Sequence, residues 1–545
     1  MQKLKEWFCE KFNGGKSMNF TKEKPVVGII FDKRGDPPYI SVGKLWSQTA
    51  ALTADKFQTE IFEVEDFFVE NNREYLEFID KIDILMMLSP YYSIDRTSKR
   101  FPVVAYGLGS MQKGGHWIFD NQNSFRNYDS IILNCTACQN ISNLLMNEGG
   151  VKTHLIPFGV NTDVFYPRGD KLGLRKKYGI PDDAFVMVYS GRISIQKNAH
   201  LLAGLLRELE KEHKNIYLVV IGFFDNFYIP EFSCKLPPDS KTEFYKLIDE
   251  FNLQSKIKIF NNQNDPDTYA EMLSMADIGI NLTTLISENF GYTPVEMQAC
   301  GLPVIGTDWG GLKDTIIDGE TGFHIPTVLS EHGTRINLKT ALSRISQLVN
   351  DKGLLEKMKI RARKNAEKKF AQDLFTQNVQ KIILSTYDNF KSYDREEYPL
   401  RYNPIIESLS HTLHRLYGDT RHVSWEHLHP LIDPQHYKLI ASECATEKCE
   451  DITWSRRSHI SKGFDWKIKD DRFISYDPRW NTSFELVNWS ITDKELFVLK
   501  LIDYFDYTVQ DILEKEKISW EELCDVLMSL TRKGLIVPFY YKEDF

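Results

Sequence analysis

Phe185-Val-Met-Val-Tyr-Ser-Gly-Arg-Ile-Ser-Ile-Gln-Lys-Asn-Ala199, continued to Lys211 and then to Ile216-Tyr-Leu-Val-Val-Ile-Gly222, is the stretch that decides the fold. Phe185 to Ser190 and Ile216 to Gly222 are short, continuous apolar runs with the length of buried strands. Between them Ala199 to Lys211 reads as a helix. Strand, helix, strand in this order is the repeating unit of a parallel sheet.

Downstream the alternation continues. Lys241 to Phe251 and Pro266 to Met275 are helix patterns, interleaved with strands at Ile257 to Asn261 and Ile278 to Leu282. A helix at Pro294 to Ala299 and a last strand at Pro303 to Gly306 lead into Gly-rich turns, and Ser330 to Lys369 and Asp373 to Tyr393 read as charged, amphipathic helices. Upstream, strands are predicted at Pro25 to Phe31, Thr59 to Val64, Ile82 to Leu88, Pro102 to Tyr106, Ser130 to Asn134 and Val151 to Pro157. Helices are predicted at Gly43 to Phe57, Glu74 to Lys81 and Gln139 to Asn147. The expected fold class is therefore α/β: two doubly wound, Rossmann-like domains with a cleft between them, binding ligands at the carboxyl ends of their strands.

The expected divisions are an N-terminal extension (1–24), an N-terminal domain (25–160), a second α/β domain (161–375), a returning helix (376–395) and an accessory module (396–545). Tyr398 to Ser461 is rich in His, Pro, Tyr and Trp, and Phe473 to Asn488 suits strands. Helix patterns at Thr492 to Tyr504, Thr508 to Leu513 and Ser519 to Arg532 mark a small helical unit from about residue 490.

The totals narrow the class. At 545 residues the chain exceeds one hydrophobic core, and 42% hydrophobic with 26% charged residues excludes a mainly disordered protein. A formal net charge of −9 argues against nucleic acid as partner. No apolar run approaches the roughly 18 to 20 residues of a membrane span. No secretory signal is evident; Met1 to Phe12 is mildly amphipathic through Leu4, Trp7, Phe8 and Phe12, suited either to peripheral membrane contact or to packing on its own domain. Eight cysteines without a regular framework fit reduced thiols and a cytoplasmic location. Cys135-Thr-Ala-Cys138 has metal or redox spacing, but its partner pair Cys444 and Cys449 is looser, and no structural zinc is expected. His411, His414, His422, His427, His429 and His436 also lack regular metal spacing.

Two constellations carry chemistry. Glu288-Asn-Phe-Gly-Tyr-Thr-Pro-Val-Glu296 places a carboxylate on a loop and another in the first turn of a helix, with Thr293 as N-cap and Pro294 as first helical residue. The amides and dipole of that helix start suit a diphosphate, and the carboxylates can accept hydrogen bonds from sugar hydroxyls. Equally, both carboxylates can simply complement the dipole. Ser190-Gly-Arg-Ile-Ser-Ile-Gln-Lys197 follows a buried strand and precedes a helix, so that Arg192 and Lys197 can neutralise a leaving diphosphate.

Taken together, Gly191-Arg192 with Lys197, Glu288-x-Phe290-Gly291-x4-Glu296, Ala299-Cys-Gly-x-Pro303-Val-Ile, and Gly310-Gly311 with Asp318-Gly and Gly322 resemble glycosyltransferase family 4, of GT-B fold. Ile156-Pro-Phe-Gly-Val-Asn-Thr-Asp-Val-Phe165 resembles that family's link between domains. The likeness is specific over Ile156 to Pro326, topological before it, and silent on residues 396–545.

The resemblance implies a retaining transfer from a UDP-, GDP- or ADP-sugar without a metal ion or other cofactor. By position, Glu288 would contact the donor sugar, Glu296 the ribose, and Arg192 and Lys197 the diphosphate. The nucleotide sugar would also lie against Gly191 and the run Asn289, Phe290, Gly291, Tyr292 and Thr293. A phosphate-loop glycine after the first strand would be Gly43, with Gly35 as alternative. His116 would sit near the sugar, or is an ordinary loop histidine. The acceptor is left open among a saccharide, a lipid-linked and a peptide or protein acceptor. A partner subunit without turnover, stabilising another enzyme, is the competing reading. The helix order ending Leu530-Thr-Arg-Lys-Gly-Leu-Ile resembles winged-helix folds, including PqqD-like domains that hold peptides; packing or self-association into a homo-oligomer are the alternatives.

Overall fold

A computed structural model describes residues 25–32, 45, 49, 56–64, 73–87, 94, 96, 98–107, 125–145, 151–225 (except 195–196), 240–261 and 265–393 (except 286–287 and 331–332). C-terminally it describes 444–445, 447–448, 454, 459–462, 466–469, 472–475, 491–504, 508–516, 518–533 and 535–539. Gly43, Gly35, His116, the 1–24 extension and the histidines between 411 and 436 lie outside the described residues.

Six strands form the first sheet: β1 (Val26–Asp32), β2 (Gln58–Val64), β3 (Ile84–Met87), β4 (Val103–Tyr106), β5 (Ser130–Leu133) and β6 (Lys152–Leu155). Their order is β2-β1-β3-β4-β5-β6 and every pairing is parallel. Continuous apolar runs without alternation are what a parallel sheet covered on both faces requires, and β3 and β4 are buried at every position. The amino ends of β4 and β5 are fastened by Asp129, whose buried carboxylate takes two hydrogen bonds from Arg96 (3.1 and 2.7 Å) and one each from the amides of Val103 and Arg126.

The second sheet holds β7 (Phe185–Ser190), β8 (Ile216–Ile221), β9 (Ile257–Phe260), β10 (Ile278–Asn281), β11 (Val304–Thr307) and β12 (Gly322–Ile325), in the order β12-β11-β10-β7-β8-β9, again all parallel. The doubly wound architecture expected from the alternation is present in both halves. Helix Gln372–Lys391 returns to the first sheet, where Thr386 Oγ1 meets Ser130 Oγ at 2.8 Å and the Phe375 ring stacks 6.4 Å from Tyr106.

Four local expectations need correction. Ser330 to Lys369 is not one helical run: a hairpin of β13 (Thr327–Ser330) and β14 (Gly333–Ile336) comes first, then helices Leu338–Asn350 and Lys352–Lys369. Asn337 and Asp351 start those helices by accepting the amides of Thr340 (3.1 Å) and Leu354 (2.8 Å), the ordinary role of short polar side chains at N-caps. Helix Thr136–Leu145 begins before Gln139, and helix Lys171–Tyr178, capped by Asp170, has too few apolar residues to show a period. Strand β12 hides in a Gly-rich stretch.

In the C-terminal region, helices Asp493–Tyr504, Val509–Glu516 and Trp520–Arg532 stand where the helical patterns lie. Thr492 and Glu495, and Thr508 and Asp511, form reciprocal capping boxes at the first two. Burial works against the Glu495 carboxylate, but hydrogen bonds from Lys533, Ser529 and the Thr492 amide outweigh it and hold the group below its usual range. Short strands pair as antiparallel ribbons, β16 (His459–Lys462) with the distant β19 (Ile536–Phe539) and β17 (Trp466–Lys469) with β18 (Arg472–Ser475); β15 (Glu447–Lys448) adds in parallel to β13. Among the described residues no helix is long and apolar enough to cross a membrane.

Candidate active site

Parallel strands deliver their carboxyl ends to one edge of a sheet, and loops at that edge collect residues distant in sequence. Here β7, β10 and β11 are neighbours, so the loops leaving Ser190, Asn281 and Thr307 converge. The first carries Gly191, Arg192 and Lys197, the second Glu288 to Gly291, the third Trp309, Gly310 and Gly311.

Lys197 Nζ donates to Glu288 Oε2, with only 17% and 10% of the two side chains exposed. Burial pulls the Lys197 ammonium below its ordinary value; Glu288 opposes that shift and nearby Arg192 reinforces it. Arg192 Nη1 is held at 2.6 Å by Asp225 Oδ2, from the loop after β8, and the Arg192 carbonyl accepts the Tyr189 hydroxyl at 2.6 Å. The guanidinium is therefore oriented by an acid that sequence reading missed; Asp225 follows Gly222 at the next strand end, which is the only signal it offers.

Asn198 keeps a backbone φ of 53° and anchors its loop by donating to Leu282 O (2.8 Å) and Thr284 Oγ1 (3.0 Å). Asn is among the few non-glycine residues that adopt this left-handed conformation readily.

The helix after the Glu288 loop spans Tyr292–Ala299, and its N-cap is Gly291 rather than Thr293. With φ 78°, Gly291 turns the chain into the helix in a conformation side chains disfavour, so Thr293 and Pro294 fall inside the first turn. Pro294 is tolerated there because the first amides of a helix lack intrahelical partners anyway. The amides of Tyr292 and Thr293 thus stand at the positive end of the helix beside Glu288.

Phe290, Tyr292 and Phe158 form a ring cluster under this loop: Tyr292 stacks on Phe158 at 5.3 Å and 6°, and Phe290 meets both edge-on. Glu296 is only 2% exposed. It lies against Tyr269, whose hydroxyl is pushed well up by burial and then by that carboxylate, and which donates to Ser190 Oγ at 2.8 Å. Ser190, Tyr269 and Glu296 thereby connect the Gly191 turn to the helix behind it.

The two lobes touch beside these loops. Asn289 Nδ2 donates to Asn134 Oδ1 (3.2 Å) at the end of β5, and the amide and hydroxyl of Thr136 donate to Asp314 (2.6 and 2.8 Å). Among the described residues no three His, Cys, Asp or Glu side chains group in a way that suits a metal ion.

Residues 170–365 match the family model Glycosyl transferases group 1. The chain is 29% identical over 190 residues to a lipopolysaccharide 1,2-N-acetylglucosaminetransferase of Salmonella typhimurium, covering 35% of this chain and 47% of the relative. It is 32% identical over 169 residues to D-inositol 3-phosphate glycosyltransferase 2 of Catenulispora acidiphila, covering 30% and 36%. This chain thus spans less than half the length of either relative. Among solved structures, Anabaena Alr3699/HepE in complex with UDP superposes with a TM-score of 0.51 at 16% identity, over 66% of this chain and 100% of that one. The fold is accordingly GT-B, and within it residues 170–365 are the part that matches the Glycosyl transferases group 1 model.

Proposed function

We propose that this protein is a metal-independent, retaining glycosyltransferase that takes its sugar from a UDP-, GDP- or ADP-sugar. The observation that supports it most is the buried contact of Lys197 with Glu288, with Arg192 beside it, at the strand ends where the Tyr292–Ala299 helix begins. Two cations, Arg192 oriented by Asp225 and Lys197 by Glu288, beside a helix N-terminus suit a ligand with a diphosphate at one end and hydroxyls at the other.

In this reading Arg192, Lys197 and the amides of Tyr292 and Thr293 bind the diphosphate, and Glu288 accepts hydrogen bonds from the sugar. As the bond from C1 to the phosphate oxygen breaks, its electron pair stays on the phosphate. The acceptor oxygen bonds to C1 on the same face and passes its proton to that phosphate. Preorganised positive charge at the leaving group is then the largest catalytic contribution. Glu296 fits a ribose contact only at its exposed rim, since nearly all of it is buried. The names of the Salmonella and Catenulispora relatives favour a saccharide or phosphorylated polyol acceptor over a peptide.

Incubation with UDP-, GDP- and ADP-sugars tests the reading. Nucleoside diphosphate should appear, in the presence of EDTA as well as without it, and proton NMR of the product should show the donor's anomeric configuration. Absence of nucleotide release from every donor, with and without candidate acceptors, refutes it.

A further inference from the structure

Glu288 is supported from behind by a turn that the C-terminal region holds. The Gly311 amide donates to Glu288 O at 2.9 Å, and Trp309 Nε1 donates to Leu285 O at 3.0 Å, so the Trp309-Gly-Gly311 turn grips both ends of the segment bearing the carboxylate. The fit has no slack. A Cβ on Gly310 would lie 2.5 Å from Glu288 O, and one on Gly311 2.5 Å from the Asn289 carbonyl.

The other side of this turn is clasped by residues far along the chain. The Gly310 amide donates to Cys444 O at 2.9 Å, Ala445 bridges Trp309 in antiparallel fashion, and Lys313 Nζ reaches Ala445 O at 3.5 Å. Cys444 is 1% exposed and packs with Trp309, Cys135 and Cys138, so the same segment also touches the core of the N-terminal domain. Two residues on, β15 pairs with β13, and Val328 of β13 is built into the C-terminal core with Trp454, Val498 and Leu499.

We infer that Cys444 and Ala445, continued by Glu447 and Lys448, form a positioning strap for Glu288, making the C-terminal region part of the donor site's support rather than a detachable appendage. The inference rests on the proposed donor role of Glu288. Moving the strap should change donor binding more than acceptor binding, because among the described residues its backbone pairs with the Trp309-Gly-Gly311 turn, which holds the Glu288 loop.

The test uses the full chain with Ala445→Leu, which overpacks the strap against Trp309, and Ala445→Ser as the conservative control. Hydrogen exchange of the amides of residues 285–291 is read alongside the Kd for UDP, GDP and ADP and the KM values for donor and acceptor. Ala445→Leu should speed exchange at 285–291 and raise the donor KM about tenfold, the worth of roughly one hydrogen bond, with acceptor KM within about twofold. Ala445→Ser should behave as the parent. If Ala445→Leu does not fold, Ala445→Val replaces it. Faster exchange at 444–448 with exchange at 285–291 and donor KM unchanged overturns the inference. If the parent binds no nucleoside diphosphate, the glycosyltransferase reading falls, while the exchange measurement still decides whether the strap governs the loop.

Discussion

Lys197 and Glu288, 91 positions apart, form a shielded ion pair that joins the loop after β7 to the loop after β10. Asn198 ties the same two loops through Leu282 O and Thr284 Oγ1, and the ion pair closes the junction on the side of Glu288. A ligand with a diphosphate can therefore compete for Lys197, and one with hydroxyls can compete for Glu288. Substrate binding would exchange a protein–protein pair for two protein–ligand contacts.

Replacement of Lys197 by Ala removes one cation and leaves a mostly buried carboxylate uncompensated. Donor kcat/KM should fall by about ten- to a hundredfold, the range of one charge-assisted hydrogen bond. Nucleotide release under subsaturating donor measures it. A loss smaller than threefold would show that Lys197 serves the loop and not the reaction.

The lowered proton affinity of Lys197 sets an alkaline limit. Burial, only partly offset by Glu288, makes the folded state release this proton at lower pH than an unfolded chain does. The charge is thus lost as pH rises through the folded value, and donor kcat/KM should decline before an ordinary lysine would titrate. In that same window the unfolded chain holds more protons, so this residue's contribution to stability rises with pH. Activity and stability should move oppositely, and Lys197→Arg should abolish the alkaline decline. The check is a pH profile of kcat/KM beside urea midpoints at the same pH values.

Gly311→Ala forces a Cβ to 2.5 Å from the Asn289 carbonyl and 2.6 Å from the Phe290 nitrogen. Backbone cannot yield as a flexible side chain does, so a stability loss of about 1 to 3 kcal/mol is expected. Nucleoside diphosphate affinity should drop with it, because the displaced atoms lie in the Glu288 loop of the proposed donor site. Calorimetric titration and thermal unfolding measure the two effects separately.

Asp129→Ala strips the acceptor from Arg96 and from the amides of Val103 and Arg126. Breaking a buried pair on one side costs on the order of 3 to 5 kcal/mol. Chemical denaturation should show that loss, with donor affinity of the surviving folded protein unchanged, since the pair sits in the N-terminal sheet.

Secondary structure was legible wherever strands are buried on both faces and helices have an apolar stripe. Phe185 to Ser190, Ile216 to Ile221 and Trp520 to Arg532 satisfy those conditions, and their positions in the structure match the pattern in the sequence. Reading failed where order comes from glycine or from capping. Strand β12 begins at Gly322, and the Asn337 and Asp351 caps divide what looked like a single amphipathic run. Thr293 was the better N-cap by residue preference, but the left-handed turn at Gly291 starts the helix first.

Residue types and their order determine which groups are available for chemistry: local motifs alone single out Arg192, Lys197, Glu288 and Glu296. What tertiary structure decided is their pairing. Asp225 orients Arg192, Tyr269 ties Glu296 to Ser190, and Cys444 reaches the turn behind Glu288. None of these partners lies in the motif of the residue it serves. A sequence displays helical and strand periods because they repeat over a few residues, whereas contacts between strand ends depend on sheet order, which no local period encodes.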